Sequence, residues 1–509
     1  MSNKAIPTIN RLPHELLVII FTLTECGTSS MGNQRHQRKS PATSQVSQVC
    51  SLWRDIILNS SSLWTTFIVH ANASGPHGFE VEPRILQHFA EKSKSSGLNI
   101  TLHSLVTGFS MTESIRRLLP LLRECHRWES LQLWAYSRRS DKVPSQSAQA
   151  GRVDIGSSPV AEAFGFGSDS RLHRLKTLKL GHVGDWRIIK ALQSATSLEN
   201  LFIETIKTST LTVLQRDTLW PNLCTVTAPP FALLSGQQRS GWMSNLRIMV
   251  IAIKQHSHHP LPTSPFALHF PSLQDLSIHT VSDKSATTID ENELHPQDFP
   301  SLITQILKKI DSAPRLTSLS LGWTGISDFR KNRCAPHLSI DPLVQFVDRC
   351  GNQLSSLSIT NLHLLPEEFQ ALLNAIPRLE ALQITEANMG KVGVWPRKLA
   401  MITEDLLALL TVNPTEAQPL AWLPRLKHID FTVNEFHDQA FTDMVLSRQN
   451  AHDQVVPISS ITLKLVGVGF LPDTKFFGTI PSLRKTMFVE LQDLKGCVIT
   501  RTYPPADST

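Results

Sequence analysis

The residues of this sequence whose types and spacing are best suited to chemistry are three histidines, His256, His258 and His259. Imidazole is a common zinc ligand, but a zinc site needs four nitrogen, sulfur or oxygen donors at suitable spacing. These histidines stand in a proline-containing stretch that runs to Pro265, with no cysteine or carboxylate at ligand spacing. We therefore predict no metal site in this segment.

Two further patterns share only part of a catalytic motif. The glycine-containing run Phe164–Gly167 lacks the lysine and the serine or threonine of a phosphate-binding loop. The carboxylate pair Glu367–Glu368 stands at a predicted helix start, where negative charge favours the helix dipole. The sequence contains no nucleophile elbow, zinc-protease motif or deaminase motif. We predict that the chain is not an enzyme and needs no cofactor.

The composition predicts a globular protein without a nucleic-acid or membrane partner. Of the 509 residues, 41% are hydrophobic and 18% are charged, which permits a sizeable core. The formal charge of +6 is mild for this length, and no dense basic helix accompanies it. The apolar run Leu16–Phe21 is too short to span a bilayer. Seven scattered cysteines without a C-x-x-C pair indicate a reducing compartment, so we expect a cytoplasmic or nuclear location.

The elements that could position a functional surface lie near the start of the chain. The first predicted helix has Pro13 in its first turn and one apolar stripe made of Leu12, Leu16, Leu17 and Ile20. The second has the same spacing in Val46, Val49, Trp53 and Ile56 or Ile57. A polar insertion, residues 27–39, separates the two helices. Helices this short make a poor core alone, so their apolar faces need the rest of the chain or another protein.

Three motifs run in order through this region: L-P-x-E-L-L-x-x-I-F from Leu12, V-C-x-x-W-R-x-I-I from Val49, and L-W ending at Trp64. Together they resemble an F-box, and the resemblance covers residues 6–67. It implies a three-helix module that docks on a Skp-type adaptor within a cullin–RING ubiquitin ligase. The polar insertion between the first two helices departs from the family's pattern.

The resemblance places particular apolar residues at the adaptor interface or in its support. The matching positions are Leu12, Pro13, Leu16, Leu17, Ile20, Val49 and Trp53. From the residues alone, each of them fits the core of a helical layer equally well. The following order of helix, strand, helix, Arg127-Trp128 and strand resembles fungal F-box proteins up to about residue 134.

The remainder of the chain repeats an apolar phrase close to L-x-x-L-x-[LI], separated by stretches of helix length. Its copies begin at Leu175, Leu198, Leu246, Leu273, Leu316, Leu354, Leu379 and Leu426. One such unit cannot bury its apolar face alone, so neighbouring units must stack. The pattern resembles an irregular leucine-rich repeat. The copies are ~23 to ~48 residues apart, and only Asn434 matches the family's asparagine or cysteine position.

We therefore predict an α/β fold, in which a small all-α F-box module precedes an irregular leucine-rich-repeat-like solenoid with a parallel strand stack. The predicted segments are the module (1–67), a helix and strand transition (68–134), a mobile loop (135–170), the solenoid (171–500) and a frayed tail (501–509). In an alternative arrangement, some of the phrases are strands of separate α/β units.

Two functions fit these predictions. In the first, the chain is the substrate-recognition subunit of an SCF-type cullin–RING ubiquitin ligase, and the repeat region binds a target protein of unknown identity. In the second, it is a repeat scaffold for protein–protein interaction outside any ligase, and the N-terminal helices only cap the solenoid. The two differ in whether the stripe of Leu12, Leu16 and Ile20 stands free or faces the solenoid. Candidate target-facing residues on or beside the strand face are Lys176, Lys179, Glu199, Asn200, Gln274, Asp275, Glu380 and Gln383.

Overall fold

The computed structural model describes residues 9, 12–27, 46–72, 83–106, 120–137, 172–181, 195–204, 220–230, 241–254, 267–281, 298–323, 337–350, 353–386, 401–412, 422–433, 438–451, 455–465 and 498–502. The chain divides into two compact units. Unit 1 consists of Met1–Leu223 with Ser240–Trp242, and unit 2 consists of Cys224–Arg239 with Met243–Thr509.

Unit 1 begins with short helices and continues as a parallel sheet. Its helices are α1 (His14–Gly27), α2 (Ser51–Asn59) and α3 (Pro83–Lys92), with 3-10 turns at Ser61–Trp64 and Cys125–Arg127. Its strands are β1 (Thr66–Asn72), β2 (Leu98–Val106), β3 (Trp128–Ser137), β4 (Thr177–Gly181) and β5 (Asn200–Ile203). These strands pair in parallel and in chain order.

Unit 2 alternates strands and helices. Its helices are α4 (Asp298–Lys309), α5 (Asp341–Arg349), α6 (Pro366–Asn374), α7 (Glu404–Leu410) and α8 (Asp438–Asn450). A 3-10 turn at Gly241–Asn245, whose first two residues belong to unit 1, precedes its second strand. Its strands are β6 (Thr225–Ala228), β7 (Ile248–Lys254), β8 (Leu268–His269), β9 (Asp275–Val281), β10 (Ile310–Ser312), β11 (Ser318–Gly322), β12 (Ser356–Thr360), β13 (Ala381–Thr385), β14 (His428–Val433), β15 (Ser460–Leu465) and β16 (Val498–Thr502).

The main sheet of unit 2 is parallel and follows the order β6-β7-β9-β11-β12-β13-β14-β15-β16. Strands β8 and β10 pair with each other in a separate two-stranded sheet. The register aligns the buried positions of adjacent strands, so that Leu319 lies beside Leu276 on one side and Leu357 on the other. Since side chains alternate between the two faces of a strand, this register leaves a polar row on the other face.

The predicted phrases supply core residues to both units. Each of the eight copies forms a strand, and none of its three apolar side chains is more than 4% exposed. The fold-class prediction is therefore confirmed: N-terminal helices precede a parallel strand stack in an α/β chain. The predicted parallel pairing follows from stacking units that each bury one apolar face.

The strand stack starts and ends at other residues than predicted. Strands β1 to β3 already pair in parallel ahead of residue 171, and β3 runs to Ser137, into the predicted loop. At the other end, Arg501 and Thr502 belong to β16 rather than to a frayed tail. A strand at the end of a stack is stabilised by hydrogen bonds to the neighbouring strand. Sequence periodicity does not reveal these hydrogen bonds, so it did not locate the ends of the stack. The remaining predicted segment boundaries stay predictions.

Local chemistry explains the helix starts in unit 2. The Oγ1 of Thr403 accepts a hydrogen bond from the backbone N–H of Leu406 at 3.2 Å, as an N-cap residue does. At α6, the Oε2 of Glu368 accepts from the N–H of Leu365 at 2.8 Å. This is the helix-start role predicted for the glutamate pair.

Several predicted features lie outside the described residues. They are the polar insertion after Gly27, the loop from residue 138 to residue 170 with its run Phe164–Gly167, and the histidine segment that ends at Pro265.

Candidate functional site

The N-terminal helices of unit 1 are held together by a small apolar cluster. Its buried members are Leu17, Phe21, Ile56, Ile57, Leu63 and Trp64. They come from α1, α2 and the 3-10 turn that follows, so three short elements share one core. Trp53 packs on its edge, with its ring 5.0 Å from that of Phe21 between centroids. The cluster fixes which side of each helix points inward.

The same cluster continues into the helix that follows β1. Trp64 donates its indole N–H to the carbonyl of Ile57 at 2.7 Å, and its ring meets that of Phe89 at 4.7 Å, edge to face. The hydroxyls of Ser61 and Ser96 lie 3.0 Å apart. Because Phe89 is on α3, the N-terminal helices are anchored to the rest of unit 1 on this side.

The opposite side of α1 carries an apolar stripe that is exposed in this chain. Leu12, Leu16, Ile19 and Leu23 have 36%, 45%, 53% and 64% of their surface accessible. The spacing of three and four residues places Leu16, Ile19 and Leu23 on one face of α1, and Leu12 lies two residues ahead of the helix. We call these four residues the α1 stripe.

A second exposed apolar pair stands at the start of α2. Val49 is 62% exposed and Leu52 is 43% exposed. Two hydrogen bonds hold the turn at Val49. The backbone N–H of Val49 donates to the carbonyl of Val46 at 3.2 Å, and the Nε of Arg54 donates to the carbonyl of Ser47 at 3.1 Å. The pair is therefore presented on an ordered turn.

The seven residues predicted for adaptor contact divide into three groups. Leu12, Pro13, Leu16 and Val49 are exposed, Ile20 and Trp53 are half-buried, and Leu17 is buried in the cluster. Leu17 can therefore act only as support. Ile19, Leu23 and Leu52 are exposed apolar residues of the same region that were not among the seven, and the helical spacing from Leu16 leads to the first two.

The eight residues predicted to face a target all lie outside the buried core. Four are on strands, on the face opposite the buried leucines, and four directly precede strands. The strand residues are Lys179, Asn200, Asp275 and Gln383, and the preceding residues are Lys176, Glu199, Gln274 and Glu380. Gln383 links two neighbours across the sheet, since its amide contacts Ser358 at 3.0 Å and Asp430 at 3.1 Å.

A further polar group in unit 2 consists of His337, His363 and Glu368. The Nε2 of His337 lies 2.9 Å from Oε2 of Glu368, and the two imidazole rings are 5.7 Å apart between centroids. The Nε2 of His363 is buried and has no hydrogen-bond partner among the described residues. Burial, and then the neighbouring His337, lower the pKa of His363, and Glu368 opposes this shift.

These groups do not form a metal centre. Within the described ranges, no set of three or more histidine, cysteine, aspartate or glutamate side chains is arranged to hold a metal ion. Among the helices that the structure describes, none has the length and apolar character of a membrane span.

Comparison with known proteins gives one family match. No curated protein matches the chain. Among solved structures, the crystal structure of the Rad7 and Elc1 complex in yeast contains a similar chain, with 13% sequence identity, 88% of each chain covered and a TM-score of 0.30. This TM-score is too low to establish a common fold. A protein-family model described as F-box-like matches residues 9–70. The chain thus contains an F-box-like domain at these residues.

Proposed function

We propose that this chain is the substrate-recognition subunit of an SCF-type cullin–RING ubiquitin ligase. Its F-box-like domain docks on a Skp-type adaptor through the α1 stripe, with Val49 and Leu52 beside it. The parallel strand region, which we assign to an irregular leucine-rich-repeat solenoid, binds a target protein. The observation that carries this proposal is the exposure of the α1 stripe on an ordered helix.

An exposed row of large apolar side chains is costly to leave in water and is typical of a protein interface. Burying the Leu16, Ile19 and Leu23 side chains at an interface would contribute on the order of 1.5–3 kcal/mol each, before the cost of association. Inward-facing Leu17 and Phe21 keep the helix in place while the outer stripe stays available.

The same observation weighs against the scaffold alternative. A helix pair that only capped the strand stack would direct the stripe of Leu12, Leu16 and Ile20 against the rest of the chain. Leu12 and Leu16 are exposed instead, and Ile20 is half-buried against the apolar cluster of the domain itself. We therefore favour the ligase role.

In this role the chain acts by positioning rather than by chemistry. It holds the target near the catalytic subunits and raises the local concentration of the target's lysines at the site of ubiquitin transfer. The role requires no cofactor in this chain and places it in the cytoplasm or nucleus.

The test is a pull-down of the purified full chain with a Skp-type adaptor, in which wild type is compared with Leu16→Asp. A charge in the middle of the stripe should weaken adaptor binding by about 30-fold or more, the cost of losing an interface hot spot. The matched control is Leu409→Asp, because Leu409 is also an exposed helical leucine, 42% accessible, but lies on α7.

Circular dichroism and thermal unfolding of all three proteins show whether the substitutions leave the fold intact. Adaptor binding by wild type and Leu409→Asp, with loss in a folded Leu16→Asp protein, supports the proposal. Failure of the wild type to bind, or equal binding by both variants, contradicts it.

A further inference from the structure

The sheet of unit 1 carries a compact aromatic and cationic patch on the face opposite its buried leucines. In the register of the sheet, Gln132 lies beside Lys179 and Trp134 beside Gly181. Lys179 in turn lies beside Phe202 on the next strand. Trp134, Lys179 and Phe202 are all half-buried, so each has surface that a partner can contact. We call these three residues the β3–β5 patch.

The indole of Trp134 lies across Gly181 on the neighbouring strand. A Cβ added to Gly181 would stand 2.2 Å from Cε3 and 2.6 Å from Cζ3 of that ring. Only glycine therefore permits this ring position, and the ring covers Gly181, which is buried. The result is a flat aromatic surface fixed to the sheet, the kind of anchor that is enriched at the centre of protein interfaces.

Diagonal to Trp134 in the register stands Lys179, for which no described carboxylate serves as a counter-ion. Lys179 forms no ion pair with any described residue, although Glu204 follows β5 on the same sheet. In the register of the sheet, Lys179 lies between Gln132 and Phe202. The ammonium of a half-buried lysine gains a charge-assisted hydrogen bond when a partner supplies a carboxylate.

We propose that the β3–β5 patch binds an extended segment of a separate protein, in which an acidic residue stands two positions from an aromatic or large aliphatic residue. Identification of that protein as the ubiquitination target rests on the proposed function. The carboxylate would pair with Lys179, while the apolar side chain would lie on Trp134 and Phe202.

The spacing supports this assignment. Trp134 and Lys179 are diagonal neighbours on adjacent strands, and such positions are about 7–8 Å apart. In an extended peptide, side chains two residues apart point the same way and are separated by about 7 Å. One peptide face can therefore meet both residues at once.

The test measures binding of fluorescein-labelled peptides to the full chain by fluorescence anisotropy. The probe has three repeats of Phe-Thr-Glu-Thr, and matched peptides carry lysine or glutamine in place of glutamate. We expect the glutamate peptide to bind at least about tenfold more tightly than the lysine peptide, since only the first can pair with Lys179.

Two substitutions test the two halves of the patch. Lys179→Glu should weaken the glutamate peptide by about tenfold and strengthen the lysine peptide, because the charges are exchanged. Gly181→Ala should weaken both, because it displaces the Trp134 ring. The controls are Lys308→Glu, an exposed lysine on α4, and Gly322→Ala, a strand-end glycine where a Cβ would meet nothing closer than 3.4 Å.

Any of three results overturns the proposal. They are a lack of binding by every peptide, equal affinity for the glutamate and lysine peptides, and peptide affinities of Lys179→Glu that equal those of the wild type. A variant with residues 140–168 deleted tests whether a segment of the chain itself occupies the patch. If the deletion raises peptide affinity more than about tenfold, the chain's own segment occupies the patch and a separate partner is ruled out as its occupant.

The adaptor pull-down separates this inference from the proposed function. Lys179→Glu should still bind the Skp-type adaptor, and Leu16→Asp should still bind the glutamate peptide. Peptide binding without any adaptor binding would support the patch proposal and contradict the ligase role. Adaptor binding without peptide binding would contradict only the patch proposal.

Discussion

Arg448, near the end of α8, holds a buried guanidinium that forms no ion pair with a described carboxylate. It donates instead to the backbone carbonyls of Leu410 at 3.2 Å, Trp422 at 3.1 Å and Leu423 at 2.6 Å. Burial lowers the pKa of Arg448 to about 10. The planar fork of arginine lets one side chain serve three acceptors in two separate segments, the end of α7 and the turn at Trp422 and Leu423.

We predict that Arg448→Lys lowers the free energy of unfolding by about 2–4 kcal/mol, because a single ammonium cannot reach all three carbonyls and is more costly to bury. The measurement is urea denaturation of the full chain. Arg378→Lys, at an exposed turn position, is the matched control and should unfold with the wild type. Equal unfolding of the two variants would mean that Arg448 contributes little.

His363 gives unit 2 a pH-dependent stability. Burial depresses its folded-state pKa below the value of about 6.5 that it has in the unfolded chain. Below about pH 6.5 the unfolded state therefore binds more protons, so stability is full above that pH and falls as the pH decreases toward the lowered pKa. His337 and Glu368 face this group, and the pKa of His279 is lowered by burial as well.

We predict that His363→Leu reduces the loss of stability between pH 7.5 and pH 5.5 without lowering stability at pH 7.5, because it also removes a buried nitrogen that no described residue pairs with. Denaturant midpoints at the two pH values provide the test. Part of the pH dependence should persist through His279. An identical decline in wild type and variant would show that His363 does not titrate as described.

At the residue scale, sequence periodicity identified the apolar residues of α1 but did not show which of them face the core. Leu16 and Leu17 are neighbours with the same side chain, yet Leu16 is exposed and Leu17 is buried. The difference is set by contacts with Ile56, Ile57 and Trp64, which lie more than thirty residues further along the chain. Both leucines match the motif equally well, so only the packed structure separates contact from support.

At the element scale, three arginines each donate a hydrogen bond to a backbone carbonyl near the end of a helix that precedes them in the chain. Arg127 donates to the carbonyl of Ala90 in α3, Arg349 to that of Leu307 in α4, and Arg448 to that of Leu410 in α7. The last carbonyls of a helix have no partner within it and carry partial negative charge. Each guanidinium thus satisfies a helix end and ties it to a later part of the chain.

We predict that Arg127→Met loosens α3, because Arg127 also donates to the carbonyl of Ser96 at 2.8 Å and to the hydroxyl of Ser93 at 2.7 Å. The expected cost is about 2–3 kcal/mol. Hydrogen exchange of the peptide that spans Pro83–Lys92 should become faster. The exposed Arg123→Met is the control, and faster exchange in both variants would assign the effect to lost surface charge instead.

The strands were predictable where their apolar positions follow the leucine phrase. Strand β15 was missed because its phrase begins with isoleucine, at Ile458, Ile461 and Leu463. Strand β6 was missed because its last two apolar positions are Val226 and Ala228. A broader apolar phrase would have found both. The arginine contacts and the Trp134 ring position depend on residues brought together only by folding, so no local pattern indicates them.

At the scale of the whole molecule, the described surfaces suit a protein that holds two partners. The α1 stripe and the β3–β5 patch are built from different elements of unit 1, the first from helices and the second from strands. The residues of the α1 stripe are exposed, and those of the β3–β5 patch are half-buried. Under the proposed function, this separation would let the chain bind an adaptor and a target through different surfaces.

Hydrogen–deuterium exchange of the full chain, with and without a Skp-type adaptor, tests the central claim most directly. Binding should slow exchange in the peptides that span His14–Gly27 and Ser51–Asn59, because the exposed side of both helices becomes an interface. Peptides from β11 and β12 in unit 2 serve as internal controls and should not change. Protection confined to regions outside these helices, or no protection at a saturating adaptor concentration, would contradict the assignment of the F-box-like domain as the adaptor-binding module.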